Sequence, residues 1–284
     1  MSALRIAVLT HRRPEQIAGA FDTLRRLAAE AGAVLRLDEE EMRKHGARNG
    51  EPGIEAAELG AEADLCVVLG GDGTILTALG LYAETGTPVF AVNFGEVGFL
   101  ATVDPDQLED GLRRALAGDF DRMELPAMHV RLGDRVYRAI NDVSFHRKQG
   151  LRVADLSYTI GEDEIGRVRC DGLVVSTPAG STGYNLANGG PVMAWGVEGY
   201  VVSFIAPHSL TARTLVVAPN DTLTVRNCSR DESADVTVDG RVACELAAGD
   251  GLGLTFVDRQ AVLAQLPGAT FYHRLREKFG RLAF

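Results

Sequence analysis

The sequence predicts an α/β domain with a parallel sheet, then an all-β, sandwich-like domain, and a C-terminal helix that returns to the first domain. Two observations carry this prediction. The N-terminal part alternates short apolar runs with helix-like patterns, as repeated βαβ units do. From about residue 119 onwards, alternating or β-branched segments are separated by turn residues, as in antiparallel sandwiches. The length of 284 residues also suits two domains of roughly 150 residues each.

The changes of pattern place the domain boundaries. We expect the α/β domain over residues 1–118, the β-rich domain over residues 119–266 and the C-terminal helix within residues 267–284. The strands predicted for the first domain are Ile6 to Leu9, Val34 to Leu37, Leu65 to Leu69 and Pro88 to Val92. Helices are predicted from Pro14 to Gly32, from Ile75 to Ala83 and from Leu108 to Leu116. The acidic, aperiodic stretch from Asp38 to Gly53 is expected to be an exposed loop.

Short segments of period two fill the second domain. Examples of the strands predicted there are Met128 to Leu132, Val136 to Ile140, Leu156 to Ile160, Leu173 to Ser176, Tyr200 to Phe204, Leu223 to Asn227, Val236 to Val238 and Ala261 to Gln265. Gly133-Asp134, Gly161-Glu162 and Asp239-Gly240 are turn signals between them. After Pro267, the spacing of apolar residues predicts a helix from Thr270 to Lys278.

The charge balance excludes some classes of partner. The chain has 29 basic and 39 acidic residues, a net charge of −10 and a pI of about 5.1. Because phosphate-rich partners require clustered Lys and Arg, we expect neither nucleic-acid nor membrane binding. No apolar run approaches the ~18 residues of a membrane helix, and the apolar run near the N-terminus is shorter than that of a signal peptide. A cytoplasmic protein is therefore expected, and the cysteines, which form no CxxC pair, are expected to be buried free thiols.

A glycine-rich turn follows the third predicted strand. The residues Gly70, Gly71, Asp72, Gly73 and Thr74 connect that strand to a helix, which places them where ligands of open α/β sheets bind. Glycines let backbone N–H groups approach phosphate oxygens, and the helix adds its positive N-terminus. A carboxylate inside such a cradle is costly unless it holds a cation or takes a proton from a hydroxyl nucleophile. The alternative is an ordinary turn in which Asp72 caps the helix.

Two segments of the second domain also carry side chains suited to a ligand. Asn141-Asp142 joins two β runs, and an amide beside a carboxylate can read a base edge and a ribose diol, although a simple turn is the alternative. The segment from Asp171 to Ala187 places hydroxyls, glycines and Tyr184 between a strand and a short helix. Ser181 or Thr182 could cap that helix and Tyr184 could stack on a base; the alternative is a capped turn with a core tyrosine.

Together these motifs resemble the NAD kinase family in order and spacing. The resemblance rests on residues 70–74, 141–142, 171–173 and 176–184, with Gly189-Gly190-Pro191 and the segment from Pro207 to Leu210. The first motif alone is shared with diacylglycerol, sphingosine and phosphofructokinase-type kinases, whereas the later motifs together are specific. The resemblance implies transfer of the γ-phosphoryl of ATP, or of a phosphoryl of polyphosphate, to the adenosine 2′-hydroxyl of NAD, with a divalent metal ion, Mg²⁺, as cofactor.

The resemblance also implies roles for individual residues. Asp72 is the proton acceptor, and Gly70, Gly71, Gly73 and Thr74 bind phosphate, Gly73 also lying in the NAD site. Asn141 binds adenine, Asp142 binds ribose hydroxyls and Asp171 meets the nicotinamide end. The remaining NAD-binding residues are Thr182, Gly183, Tyr184, Asn185, Leu186, Ala187, Arg152, Arg169 and Arg241. The family more often has Glu in place of Asp142 and Gln in place of Arg241.

Two alternative functions and an oligomeric state are also expected. A lipid kinase of the diacylglycerol kinase type shares the glycine turn, and a non-catalytic NADP-binding sensor would keep the pocket without turnover. The net negative charge disfavours the lipid kinase, which acts at a membrane surface. By resemblance, the β-rich domain binds NAD and associates into a homodimer or homotetramer.

Overall fold

The computed structural model describes residues 3–96, 98–150 and 152–280. Its strands are β1 Arg5–Thr10, β2 Val34–Leu37, β3 Ile54–Ala56, β4 Leu65–Gly70, β5 Pro88–Asn93, β6 Asp121–Leu132, β7 Arg135–Ala139, β8 Asp142–Arg147, β9 Ala154–Ile160, β10 Asp163–Cys170, β11 Gly172–Ser176, β12 Tyr200–Ile205, β13 Leu215–Val217, β14 Leu223–Asn227, β15 Ala234–Val238, β16 Arg241–Leu246 and β17 Gly251–Gln265. Its helices are α1 Ala18–Glu30, α2 Glu39–His45, α3 Asp72–Leu81, α4 Leu108–Leu116, α5 Tyr184–Ala187 and α6 Phe271–Phe279. The chain divides into two compact units, the first running to Glu124 and resuming at Gln260, and the second being Leu125–Arg259.

The first unit is built on a parallel sheet in the order β5-β4-β1-β2-β3. β1 pairs in parallel with β2 and β4, and β4 pairs in parallel with β5. Thr10 lies opposite Leu69, and Asn93 lies opposite Gly70. The carboxyl ends of β1, β4 and β5 therefore meet at one edge of the sheet, where ligands of such sheets bind.

The core of the first unit confirms the predicted α/β architecture. β4 and β5 are buried along their whole lengths, as expected of parallel strands covered on both faces. Helix α1 adds Phe21, Leu24 and Leu27 to this core. The C-terminal helix α6 belongs to the same unit, and Thr270 caps it by accepting a hydrogen bond from the backbone N–H of His273. Within the described residues, no helix combines the length and apolar content that crossing a bilayer requires.

The loop predicted from Asp38 to Gly53 is wrong over its first half, where α2 forms. The Asp38 carboxylate accepts a hydrogen bond from the backbone N–H of Glu41, and Gly46 ends the helix at a φ of 61°. Acidic residues occupy the first turn of α2 and basic residues the last, which complements the helix dipole. A helix of seven residues is too short to show the period on which the prediction depended.

The second unit is an antiparallel β structure, as predicted. One sheet has the order β13-β12-β11-β8-β15-β16. β9 pairs with β10 and β14, and β14 pairs with the first part of β17. One apolar core contains residues of both sets of strands, among them Phe145, Leu156, Leu173, Tyr200 and Leu254. The sandwich-like arrangement follows from this shared core.

The three predicted turn signals each connect a hairpin. Gly133 lies between β6 and β7, Gly161 between β9 and β10, and Asp239-Gly240 between β15 and β16. Asp239 and Gly240 both have positive φ, 46° and 76°, as a two-residue type I′ hairpin turn requires. The predicted examples did not include β8, β10, β13 and β16; of these, β10, β13 and β16 end their sheets, and β10 is mostly exposed. Edge strands carry charged residues that interrupt an apolar pattern.

The cysteine prediction is confirmed in part. All four cysteines are free, and Cys66 and Cys170 are buried, whereas Cys228 and Cys244 are half-buried. Burial raises the pKa of the Cys170 thiol to about 12 and raises that of Cys66 further, so both remain protonated at neutral pH.

Candidate active site

The glycine turn lies at the carboxyl end of β4 and begins α3, as predicted. A Cβ on Gly70 would lie 2.8 Å from the Thr74 hydroxyl, and a Cβ on Gly71 would lie 3.0 Å from the Cα of Gly95. The turn is therefore closely packed at Gly70 and Gly71, and a side chain at either position would have to displace its neighbour. A Cβ on Gly73 would meet nothing within 4 Å, so packing within the chain does not require glycine there.

The carboxylate of Asp72 is held by a neighbouring loop. Asp72 is half-buried; its Oδ1 accepts from the backbone N–H of Leu100 at 3.0 Å, and its Oδ2 accepts from that of Phe99 at 3.3 Å. Gly71 is the N-cap of α3 and no side chain caps the helix. The alternative of Asp72 as a helix cap is therefore wrong. Both carboxylate oxygens are instead oriented by backbone amides.

The loop after β5 lies beside the glycine turn, as the sequence suggested. The Asn93 side chain accepts from the backbone N–H of Gly95 at 3.0 Å and donates to Asp104 at 2.9 Å. The backbone N–H of Phe94 donates to the carbonyl of Gly70 at 3.0 Å. Gly98 has a φ of 64°, and a Cβ there would collide with the Asn93 amide. Two adjacent strand ends thus support the loop that orients Asp72.

In the second unit, Asp239 organises the Asn141-Asp142 pair. Its carboxylate accepts the backbone N–H of Ile140 at 2.9 Å, of Asn141 at 2.8 Å and of Asp142 at 3.1 Å. The backbone N–H of Asp239 donates to the carbonyl of Asp142. The sequence marked Asp239 only as part of a hairpin turn. Its role as acceptor for a distant turn depends on the pairing of β8 with β15.

The carboxyl group of Asp142 is almost completely buried, with 7% of the residue exposed. This burial, together with the negative charge of Asp239, raises the pKa of Asp142 to about 7. Burial also raises the pKa of Asp239, against its three backbone donors. The Oδ1 of Asn141 is buried and finds no hydrogen-bond partner among the described residues. A buried acceptor without a partner is costly, and a ligand donor would satisfy it.

The segment after Asp171 packs against the backbone of Asn141. The backbone N–H of Thr177 donates to the carbonyl of Asn141 at 2.9 Å, and a Cβ on Gly180 would lie 2.2 Å from that oxygen. A Cβ on Gly183 would lie 3.9 Å from the Asn141 amide nitrogen. The structure therefore brings Asn141 together with the predicted run of glycines and hydroxyls.

The predicted capping of the short helix α5 is wrong. Gly183 is its N-cap, without a side-chain hydrogen bond. Ser181 is buried and bonds to the carbonyls of Pro178 and Met193, while the Thr182 hydroxyl bonds to the carbonyl of Ala179. Both hydroxyls stabilise the 3₁₀ turn Ala179–Thr182 that precedes α5.

Tyr184 presents its ring at the surface of the second unit, because 37% of the residue is exposed. The alternative of a core tyrosine is therefore wrong. Its ring stacks on His146, with centroids 5.7 Å apart and planes inclined by 15°. The Nε2 of His146 lies 2.8 Å from the Ser144 hydroxyl, and burial lowers the pKa of His146. Sequence reasoning missed His146, although it lies on the strand that begins at Asp142.

Asp171 is paired with an arginine, and the predicted residues of α5 after Tyr184 differ in their burial. The Asp171 carboxylate accepts from Nε of Arg147 at 2.6 Å, a partner that sequence reasoning missed. Asn185 is buried, and its amide donates to the carbonyls of Ser181 and Pro191. Asn185 therefore stabilises the chain between Ser181 and Pro191 by hydrogen bonds within the core. Leu186 is half-buried and Ala187 is exposed.

The predicted arginines lie at the surface. Arg152, Arg169 and Arg241 are exposed. Arg241 follows the Asp239-Gly240 turn, and its positive charge opposes the effect of burial on the pKa of Asp239. The backbone carbonyl of Arg169 accepts from the N–H of His208, which anchors the segment after β12.

The described residues contain no group of three His, Cys, Asp or Glu side chains placed to hold a metal ion. Mg²⁺ in nucleotide sites is commonly held by one or two carboxylates together with substrate phosphates. Asp72 is the one carboxylate of the glycine turn, and it fits this arrangement, in which the metal accompanies a polyphosphate.

Comparison with known proteins places this arrangement in a family. The model of the ATP-NAD kinase N-terminal domain matches residues 34–120, and that of the C-terminal domain matches residues 140–266. An NAD kinase of Gemmatimonas aurantiaca is 35% identical, over 98% of this chain and 96% of that protein. The chain belongs to the NAD kinase family. A second family member, from Geobacter sp. strain M21, is 38% identical over 79% of this chain and 80% of its own length.

Solved structures of family members have the same fold. Yeast NADH kinase complexed with NADH has a TM-score of 0.86 at 20% identity, over 100% of this chain and 91% of that chain. An NAD kinase from Archaeoglobus fulgidus in complex with ATP has a TM-score of 0.70 at 24% identity, over 98% of each chain. At these identities the likeness concerns the fold.

Proposed function

We propose that the chain is an NAD kinase that transfers the γ-phosphoryl of ATP, or a phosphoryl of polyphosphate, to the adenosine 2′-hydroxyl of NAD. The observation that carries the proposal is the half-buried Asp72 carboxylate, held by the N–H groups of Phe99 and Leu100 at the carboxyl end of β4. Membership of the NAD kinase family supports the choice of substrates.

Asp72 acts as the proton acceptor. A carboxylate has about four lone-pair sites, so two amide donors leave sites for a substrate hydroxyl. The hydroxyl of a ribose is a very weak acid, so the carboxylate contributes as the proton leaves in the transition state, typically about 10²- to 10⁴-fold in rate. The amide bonds fix the direction from which the hydroxyl must approach.

Phosphate binding falls to the backbone of the glycine turn. We place the phosphate at Gly70, Gly71, Gly73 and Thr74, at the N-terminal end of α3, where the N–H groups not used within the turn provide positive partial charge for phosphoryl oxygens. The N–H of Thr74 is already used, because it donates to the carbonyl of Gly71 at 2.9 Å. A divalent metal ion such as Mg²⁺, bound together with the phosphates of ATP, would supply neutralising charge there.

The second unit supplies the groups for NAD. Asn141 offers its unpartnered Oδ1 to the adenine, Asp142 accepts ribose hydroxyls and Tyr184 stacks on a ring. Asp171, paired with Arg147, meets the nicotinamide end. The remaining NAD-binding residues we propose are Thr182, Gly183, Asn185, Leu186, Ala187, Arg152, Arg169 and Arg241.

One assay separates this function from the alternatives. The chain is incubated with NAD, ATP and Mg²⁺, and NADP is measured; a parallel reaction offers diacylglycerol in vesicles. An NAD kinase forms NADP and leaves the lipid unchanged. Phosphorylated lipid without NADP would establish the lipid kinase, and NADP binding without turnover would establish the sensor.

We expect NAD affinity to increase as pH rises through about 7, the pKa to which burial and Asp239 raise Asp142. The ionised carboxylate accepts hydrogen bonds from both ribose hydroxyls more strongly than the protonated carboxyl, which keeps less acceptor capacity, and Asp142 is mostly protonated below its pKa. Between pH 6 and pH 8 the ionised fraction rises about tenfold, and the affinity rises by up to about that factor. Calorimetry with NAD alone measures this, because ATP phosphates titrate in the same range. The Asp142→Asn variant is the control: if it shows the same pH dependence, another group is responsible.

We also propose that the chain forms a homodimer or homotetramer through the second unit. Edge strands of that unit expose apolar side chains, Ile165 on β10, Val216 on β13 and Val242 on β16. Such edges favour pairing with another chain. We expect Asp171 or Arg169 to approach NAD bound mainly by a second subunit. Light scattering across a dilution series, with activity measured beside it, checks this: a fully active monomer would exclude a shared site.

A further inference from the structure

An arginine of the C-terminal helix lies buried beside the loop that orients Asp72. Only 8% of Arg274 is exposed. Its guanidinium donates to the backbone carbonyls of Phe99, at 2.9 Å, and Ala101, and to the side-chain carbonyl of Gln265 at 2.9 Å. These partners are neutral, and burial lowers the pKa of Arg274. A buried cation is costly unless it is well bonded, so Arg274 stabilises one arrangement of this loop at the expense of others.

Arg274 and Asp72 bind opposite ends of one peptide group. The carbonyl of Phe99 and the N–H of Leu100 belong to the same planar, trans peptide unit, in which they point in opposite directions. Arg274 donates to the oxygen of this peptide unit, which is the carbonyl of Phe99. The N–H of the same peptide unit, which belongs to Leu100, donates to Oδ1 of Asp72 at 3.0 Å. A cation on the oxygen polarises the unit and strengthens the hydrogen bond that its N–H donates.

Aromatic contacts hold the helix in register with the loop. The ring of Phe99 packs against Phe271 at 5.8 Å between centroids and against Phe279 at 5.9 Å. These residues begin and end α6, and Arg274 lies between them. The contacts fix the distance between the guanidinium and the carbonyls that it binds.

We propose that Arg274 is a positioning residue for phosphoryl transfer. It acts through the peptide unit between Phe99 and Leu100, which orients the carboxylate of Asp72. The C-terminal helix thereby supports the loop that orients Asp72. The inference rests on the proposed function, since it assigns its effect to the proton acceptor of that reaction.

The test is a double-mutant cycle between Arg274 and Asp72. We expect Arg274→Met to lower kcat for NADP formation at least tenfold while KM for NAD stays within about threefold, because the NAD-binding residues are untouched. In the Asp72→Asn background, Arg274→Met should lower kcat less than twofold, because its target is already absent. Arg276→Met, at an exposed position on the same helix, should match the wild-type chain.

Two results would overturn the proposal. One is a kcat of Arg274→Met within threefold of wild type, and the other is an equal loss of kcat in both backgrounds, which indicates a general structural role. Should Arg274→Met fail to fold, Arg274→Lys replaces it. A lysine keeps the charge but cannot bind Phe99, Ala101 and Gln265 in the same fork geometry, so a smaller loss with the same non-additivity is expected.

Hydrogen exchange separates this proposal from the proposed function. In the wild-type chain the amide of Leu100 is bonded to Asp72 and should exchange slowly. We expect it to exchange at least tenfold faster in Arg274→Met and at the wild-type rate in Arg276→Met. Unchanged exchange in Arg274→Met would refute the positioning role. Absence of NADP formation by the wild-type chain would instead refute the proposed function, and the exchange measurement would still decide the role of Arg274.

Discussion

Asp72→Asn is expected to lower kcat at least about 100-fold while NAD affinity changes less than tenfold, because loss of a general base typically costs about 10²-fold or more. The asparagine keeps the size of the side chain and one oxygen for the N–H of Leu100. Its amide nitrogen cannot accept a proton. The loss should therefore fall on kcat, since the interaction is made only as the proton leaves.

Steady-state kinetics with varied NAD, beside calorimetry of NAD binding, measures both quantities. Asp106→Asn is a matched control, because Asp106 is an exposed aspartate of the same unit. A variant at Asp72 that retains more than about a tenth of the wild-type kcat would contradict its role as proton acceptor. A large loss of NAD affinity would point to substrate binding as its main role.

The glycine turn could be predicted because its chemistry is local. A buried strand, three glycines and a helix occupy one short stretch, so the sequence alone places Asp72 at the end of a parallel strand. The groups that orient Asp72 are distant: Phe99 and Leu100 lie 27 and 28 residues further on. Arg274 belongs to the last helix. No periodicity or motif connects such positions, since the sheet brings them together.

In the second unit, too, local motifs could be predicted, whereas contacts between residues distant in the sequence could not. The Asp239-Gly240 hairpin and the Asn141-Asp142 turn could each be predicted, because their residue types favour tight turns. That the Asp239 carboxylate binds the backbone of the Asn141-Asp142 turn depends on Val238 lying opposite Val143 in adjacent strands. Strand order in an antiparallel sheet is not contained in the pattern of a single strand. The stacking of His146 on Tyr184 was missed for the same reason.

The hydroxyl groups of the second unit were misinterpreted because several acceptors competed for them. Ser181 and Thr182 precede α5 at positions suited to capping, yet they bond to carbonyls of their own turn and of Met193. The sequence shows which groups can donate, and only the fold determines the acceptor that lies nearest.

Asp142→Ala is expected to raise the Kd for NAD about 10- to 150-fold, because a hydrogen bond to a charged group is worth about 1.5 to 3 kcal/mol. The Asp142 carboxyl is buried and belongs to the turn whose backbone N–H groups donate to Asp239. In the variant, the ribose hydroxyls would lose their acceptor at a place where bulk water does not replace it. The interaction forms on binding and persists in the transition state, so KM should change much more than kcat.

Calorimetry at pH 8, where the Asp142 carboxyl of the wild-type chain is mostly ionised, gives the full difference in affinity. Asp142→Glu is the matched control, because it restores the residue more common in the family and keeps the charge; its Kd should stay within about tenfold of wild type, less than the cost of a lost charged hydrogen bond. The buried Asp239 carboxylate remains in all variants, and its three backbone donors keep the turn in place. A weakened affinity therefore reports on Asp142 itself. Unchanged NAD binding in Asp142→Ala would show that the ribose is held elsewhere and that the Asn141-Asp142 pair is a structural turn.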